Sequence, residues 1–231
     1  MGLSPLPRFR LLTLAVLLLL GACAGGDSLS SGDSVGLTYR VEGGISGSLQ
    51  AELAIAPDGV GSWTAGGETV VLVVSRSLLD DTVARLRAQG LGRITPTPPD
   101  PNLADGLTVT ITAGNDSISW YGITEQRDRF RPDEISLLET AEGLFSLVTG
   151  ASPVTAATPG PDEKGIRGFV ARADDGSLLL CSSPPVQGRC EGNSVALVDL
   201  DEGVAAKLES TVGNDPAIVI GEITDEGLNL S

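Results

Sequence analysis

The sequence predicts an α+β fold: an antiparallel sheet with two helices, followed by a small all-β unit of OB-like barrel type. Three observations lead there. Short runs alternate apolar and polar residues and are joined by tight-turn pairs such as Asp58-Gly59 and Asp175-Gly176, the pattern of half-buried strands in antiparallel pairs. Two longer segments, 78–89 and one opening at Pro132, repeat apolar residues at helical spacing. A stretch rich in Ala, Pro, Thr and Gly at 150–165 separates these from a second set of strands. The expected organisation is therefore a signal at 1–22, a tether at 23–34, an α+β domain at 35–149, a linker at 150–165 and a small β domain at 166–231.

The first 22 residues read as an export signal. Arg8 and Arg10 supply the positive start, 11–20 is apolar apart from Thr13, and Gly21 and Ala22 are the small residues before a cleavage point. The run is shorter than the roughly 20 apolar residues that span a bilayer. Leu20-Gly21-Ala22-Cys23 resembles the lipobox of bacterial lipoproteins. That resemblance implies a diacylglycerol on the Cys23 thiol and cleavage in front of it. Two acyl chains hold a protein on a membrane where one does not. Residues 24–34 are small and polar, as in a flexible tether.

In the first domain, Leu37, Tyr39 and Val41 alternate with Thr38 and Arg40, and 49–56 repeats the pattern. Asp58-Gly59 turns the chain into a return strand at 60–64, and 69–75 is a β-branched run. Ser77 and Asp80 resemble a capping box that opens a helix, with Leu79, Val83, Leu86 and Ala84 inward and Gly90 closing it. Four prolines within 94–102 exclude regular structure there. Strands at 107–112 and 117–123 flank Gly114-Asn115-Asp116. A second helix starts at Pro132 and Asp133, carries Leu137, Ala141, Leu144, Phe145 and Val148 on one stripe, and ends at Gly150.

In the second domain, strands are expected at 167–173, 177–181, 195–200, 217–223 and 228–230, with a helix at 202–210. Three strands, a helix and two more strands is the order of an OB-type barrel. Cys181 and Cys190 bracket a short loop and, in an oxidising space, are expected to form a disulfide. A metal site is disfavoured: the chain has no histidine, and a tetrahedral zinc site needs four ligands.

Composition narrows the function. The formal charge is −15; removing Arg8 and Arg10 from the 15 cations leaves 13 against 30 acids, or −17. Such a field repels phosphate backbones, so no nucleic-acid partner is expected. Without histidine there is no Ser-His-Asp triad or Cys-His pair, and no phosphate-loop motif points to a cofactor. The expectation is a protein that is not an enzyme and has no catalytic residues. A carboxylate-dependent hydrolase is the distant alternative, since 30 acids form pairs by chance. Asp174-Asp175-Gly176 and Asp199, Asp201 and Glu202 read as solvated turns, because neither cluster has the spacing of a calcium loop. Of Trp120-Tyr121, at least one member is expected in the core.

The first domain resembles emfourin, a small bacterial inhibitor of thermolysin-like metalloproteases. The likeness begins at Leu37-Thr38-Tyr39-Arg40-Val41-Glu42-Gly43-Gly44-Ile45-Ser46-Gly47, where a first strand ends in a Gly-Gly-x-x-Gly turn. It continues through the helix before the Pro-rich loop, Asp105, the strand at 108–112 and the closing helix. The resemblance covers about half of the mature chain, and its motif is short. The lipid anchor, the second domain and a longer hairpin at Asp58-Gly59 depart from the family. It implies binding to a secreted metalloprotease near its active-site cleft, with Gly43, Gly44, Ile45, Ser46 and Gly47 as contacts. A second class of function is an OB-type ligand- or peptide-binding lipoprotein. In either class the membrane partner is reached through Cys23, and the location is the cell envelope.

Overall fold

A computed structural model of the chain describes residues 34–44, 48–154, 165–212, 215–224 and 226–230. The expected signal, Cys23 and the expected tether up to Asp33 lie outside the described residues. Ser34–Ser231 form one compact unit, mixed α/β in class and largely β, with three α-helices among the described residues. Among these residues no helix is long and apolar enough to cross a membrane.

The first strands are β1 (Leu37–Gly43), β2 (Ser48–Ile55), β3 (Val60–Ala65) and β4 (Glu68–Val74), each antiparallel to the one before. Helix α1 (Arg76–Gln89) follows, then β5 (Leu107–Ala113), β6 (Asp116–Tyr121) and α2 (Pro132–Thr149). β5 pairs with β1 and β6 with β5, both antiparallel. The alternation on β1 works as expected: Leu37 and Tyr39 are buried, Thr38 and Arg40 only partly so. Both helices cover that buried face, where Leu53, Leu79, Leu86, Ile111, Leu137 and Leu138 form a core with at most 0% exposure each.

Three details differ from the sequence expectation. The N-cap of α1 is Ser75, whose side chain accepts from the Leu78 N–H at 3.4 Å, so the helix opens before Ser77. Ala84 is exposed, and Thr82 takes the inward place beside Leu79, Val83 and Leu86. Its hydroxyl donates to the Leu78 carbonyl at 2.7 Å, which lets a polar residue be buried without an orphaned group. Phe145 is only partly buried and packs between Tyr39 and Trp63, at ring separations of 5.1 and 4.9 Å.

The remaining strands are β7 (Ser152–Pro153), β8 (Gly165–Arg172), β9 (Leu178–Cys181), β10 (Ser194–Val198), β11 (Pro216–Ile220), β12 (Glu222–Thr224) and β13 (Gly227–Asn229), with α3 (Glu202–Val212) before β11. A separate OB-like barrel domain is not shown, because these strands share a sheet with the first ones. One sheet runs β12-β13-β10-β9-β8-β11-β4-β3-β2-β1-β5-β6, with β7 beside β8. The join is β11, which pairs parallel with β4, Ala217 opposite Val71 through Ile220 opposite Val74, and antiparallel with β8.

That join has a chemical cause. Leu72, Val74, Ile218 and Ile220 point into the first core, while Val73, Ala217 and Val219 point into a second with Ile166, Leu180, Val195 and Leu208. Strands covered on both faces need continuous apolar runs, and VVLVV at 70–74 and AIVI at 217–220 provide them. Each such Val, Leu or Ile contributes about 1.5–3 kcal/mol on full burial.

The single strand expected at 217–223 is broken at Gly221. A side-chain carbon there would overlap the Asn229 carbonyl oxygen, so only glycine permits the close approach to β13. β11 and β12 are separated by this one residue, yet β8, β9, β10 and β13 stand between them in the sheet order. Consecutive Cα atoms are about 3.8 Å apart, so this end of the sheet has to curl back on itself.

Candidate interaction site

The strand registers gather several turns at one end of the sheet. Gly43, the last residue of β1, lies opposite both Ser48 and Leu107. Ala65 and Glu68 face each other across the β3–β4 turn, and Ala65 is also opposite Ala51. Tyr121 closes β6 opposite Thr108. The Gly43-Gly44 turn, the Gly66-Gly67 turn and the loop entering β5 therefore share an end. Ser34, where the chain enters the compact unit, precedes β1 and lies at the other end.

Gly44 has φ +75° and a Cβ there would meet nothing within 4 Å. The turn needs the left-handed conformation that glycine adopts without strain, and it stands in open space. Gly43, at φ +115°, is pressed against the Gly106 carbonyl, 2.8 Å from where a Cβ would sit. Its own carbonyl accepts from the Gln50 side chain at 3.1 Å. Of the five contact residues expected from sequence, Gly43 and Gly44 are thus at the rim, and Ile45, Ser46 and Gly47 lie outside the described residues.

The neighbouring loop is braced. The Tyr121 hydroxyl accepts from the Gly106 N–H at 2.8 Å and donates to the Leu103 carbonyl at 3.2 Å. The Leu107 N–H donates to Glu125 at 3.0 Å. Asp100 accepts from the Asn102 N–H at 2.9 Å and pairs with Arg129 at 3.0 Å. The Asn102 N–H, with the Gln126 side chain and Arg129, holds the Asp100 carboxyl below the usual range. Asp105 keeps φ +58°, unusual for a residue other than glycine.

Glu134 is the site residue that sequence reasoning missed. It is fully buried. Oε1 accepts from the Thr97 N–H at 2.7 Å and the Trp120 indole N–H at 2.9 Å; Oε2 accepts from the Thr97 hydroxyl at 2.6 Å and the Arg131 N–H at 3.1 Å. Burial alone would raise its pKa, but the Thr97 hydroxyl and N–H, then Arg131 and Trp120, outweigh it and hold the carboxyl ionised below its ordinary value. Four donors to two oxygens leave no lone pair for a substrate proton. The residue is a pin that ties the Pro-rich loop and β6 to the start of α2. A capping glutamate three residues after Arg131 was the available signal.

The other candidates fall as follows. Trp120 is in the core, 1% exposed, and Tyr121 is partly buried with its hydroxyl engaged. Cys181 and Cys190 form a disulfide with Cα atoms 5.5 Å apart. Asp175 accepts from the Ser177 hydroxyl and N–H in a turn, and Asp201 accepts from the Gly203 N–H at the start of α3. Among the described residues no group of three His, Cys, Asp or Glu side chains is arranged to hold a metal ion. No protein-family model and no curated protein sequence matches the chain.

Proposed function

We propose that this chain is an exported, lipid-anchored envelope protein that acts by binding, through the glycine-rimmed end of its sheet, as an inhibitor of a secreted metalloprotease. The anchor rests on Leu20-Gly21-Ala22-Cys23 at the end of the apolar run, and the Cys181–Cys190 disulfide suits the oxidising space outside the cytoplasm. The observation that carries the binding reading is the Gly43-Gly44 turn. It reaches into open space at the end of β1 opposite Ser34, so tethering at the N-terminus leaves it free to meet a partner. The loop beside it is braced through Tyr121, and a pre-ordered loop loses little entropy on binding. The test is titration of the chain from Ala24 onward against a thermolysin-like protease. Saturable, stoichiometric inhibition that Gly44→Trp abolishes in a chain that still folds, its melting temperature lowered by only about 2–4 °C, is the expected result. Undiminished protease activity at micromolar excess overturns the inhibitor reading.

A second reading, an OB-type ligand- or peptide-binding lipoprotein, is favoured by the pairing order of the C-terminal strands. β8, β9 and β10 are successive antiparallel neighbours, β13 lies parallel to β10, and β12 pairs with β13 while continuing from β11, which pairs with β8. That circuit, with α3 between β10 and β11 in the chain, supports the OB reading. Ligand binding that survives Gly44→Trp would favour this reading over the first.

A further inference from the structure

Among the described residues, the helix-side face of the sheet is left uncovered just past the C-terminal end of α2. There Trp63, Val70, Val148, Ala151 and Ile218 line a pocket of about 230 Å³, and Glu68 and Arg167 stand at its edge. Trp63 is held edge-on against Phe145 at 4.9 Å, which fixes its indole as one wall. Val70 lies opposite Trp63, and Ile218 lies opposite both Leu72 and Arg167, so the floor is built by four adjacent strands, β3, β4, β11 and β8.

Two charged side chains at its edge are without a partner of their own among the described residues. Arg87, Arg127 and Arg172 each hold a carboxylate at 3.3 Å or less. The Arg167 and Glu68 side chains, by contrast, have no hydrogen-bond or ion-pair partner among the described residues. They sit four residues apart along the strand direction and two strands apart across it. Ladder geometry separates their Cα atoms by about 16 Å, a span that extended Arg and Glu side chains narrow but do not close. A cation and an anion, both unsatisfied, thus flank an apolar floor with an indole wall.

We propose that this pocket binds a free apolar amino acid in its zwitterionic form. The α-carboxylate would pair with Arg167 in the bidentate manner that guanidinium favours, the α-ammonium with Glu68, and the side chain would lie on Val70 and Ile218 against Trp63. The volume admits one residue and falls short of the 300 Å³ or so at which pockets for drug-sized ligands begin. The site goes beyond the inhibitor reading and does not depend on it.

The experiment is calorimetric titration of the chain from Ala24 onward, which contains the whole compact unit, with L-leucine, L-valine and L-phenylalanine. Trp63 emission serves as the local reporter, since Trp120 is 1% exposed. Saturable binding at millimolar concentration or tighter is expected for at least one of the three. It should weaken at least tenfold for N-acetyl-L-leucine, for L-leucinamide, and for each of Arg167→Gln and Glu68→Gln, both at exposed positions whose variants are checked by thermal melting. Three outcomes overturn the proposal: no binding at tens of millimolar, equal binding of the blocked derivatives (a peptide terminus or a merely apolar ligand), or a loss confined to one of the two variants.

Discussion

Replacing Glu134 by Ala removes a carboxylate that is fully buried and accepts four hydrogen bonds. Three of its donors have no freedom to turn away: the Thr97 and Arg131 N–H groups and the Trp120 indole N–H. The Thr97 hydroxyl can rotate to another acceptor. A buried donor left unpaired costs about 1–3 kcal/mol. Partial relaxation and water entry reduce the sum, and Glu134→Ala is expected to cost about 3–5 kcal/mol. In a unit of this size that lowers Tm by roughly 6–20 °C, at about 2–4 °C per kcal/mol. Glu134→Gln keeps the shape but sets an NH2 group against an N–H donor, so a smaller loss of about 2 kcal/mol is expected. Urea unfolding followed by Trp120 fluorescence and by far-UV dichroism measures both. A Glu134→Ala chain within 1 kcal/mol of the parent would refute the pin. The pH dependence follows from the same contacts: the folded-state pKa lies below the ordinary 4.5. The contribution is therefore complete above about 4.5 and is lost as pH falls from there through the depressed folded value. Glu134→Gln should flatten that part of the stability profile.

Four further outcomes are expected. Ile220→Ala should cost about 2–5 kcal/mol and leave one transition rather than two, because β11 lines both cores; probes in the two halves would separate if the join were weak. Gly221→Ala should yield little folded protein, since its new carbon overlaps the Asn229 carbonyl, whereas Gly44→Ala should cost only about 1 kcal/mol in backbone strain; equal melting temperatures for the pair would contradict this. Replacing Cys181 and Cys190 together by Ala should lower stability by about 2.5–3 kcal/mol, the chain-entropy value for so short a loop, measured by urea titration. Thr82→Val should stay within about 1 kcal/mol of the parent, because the carbonyl that Thr82 meets keeps its helical partner.

Local periodicity made most elements legible. The alternation in β1, the turn pairs Asp58-Gly59 and Gly114-Asn115, and the helical stripe of Leu137, Ala141, Leu144 and Val148 are near-neighbour signals, and each element forms where expected. What could not be read was pairing between distant segments. The apolar runs at 70–74 and 217–220 announce strands covered on both faces, but nothing in either run says that the two lie side by side. The break at Gly221 depends on the Asn229 carbonyl, which approaches only after β13 is in place. Glu134 escaped notice for the same reason: its donors come from Thr97 and Trp120, 37 and 14 residues away. In the candidate site, the glycine turn was visible because a left-handed turn is written in its own residues. The brace behind it, Tyr121 with Gly106 and Leu103, was not.

Anchoring of the protein on a membrane through Cys23 is tested most directly by the intact mass of the mature chain recovered from membranes of the producing cell. The predicted result is a protein beginning at Cys23 and heavier than its sequence by a diacylglycerol, with a Cys23→Ser chain that is neither lipidated nor cut at this point. A mature chain that begins elsewhere, carries no lipid and partitions with the soluble fraction would contradict it.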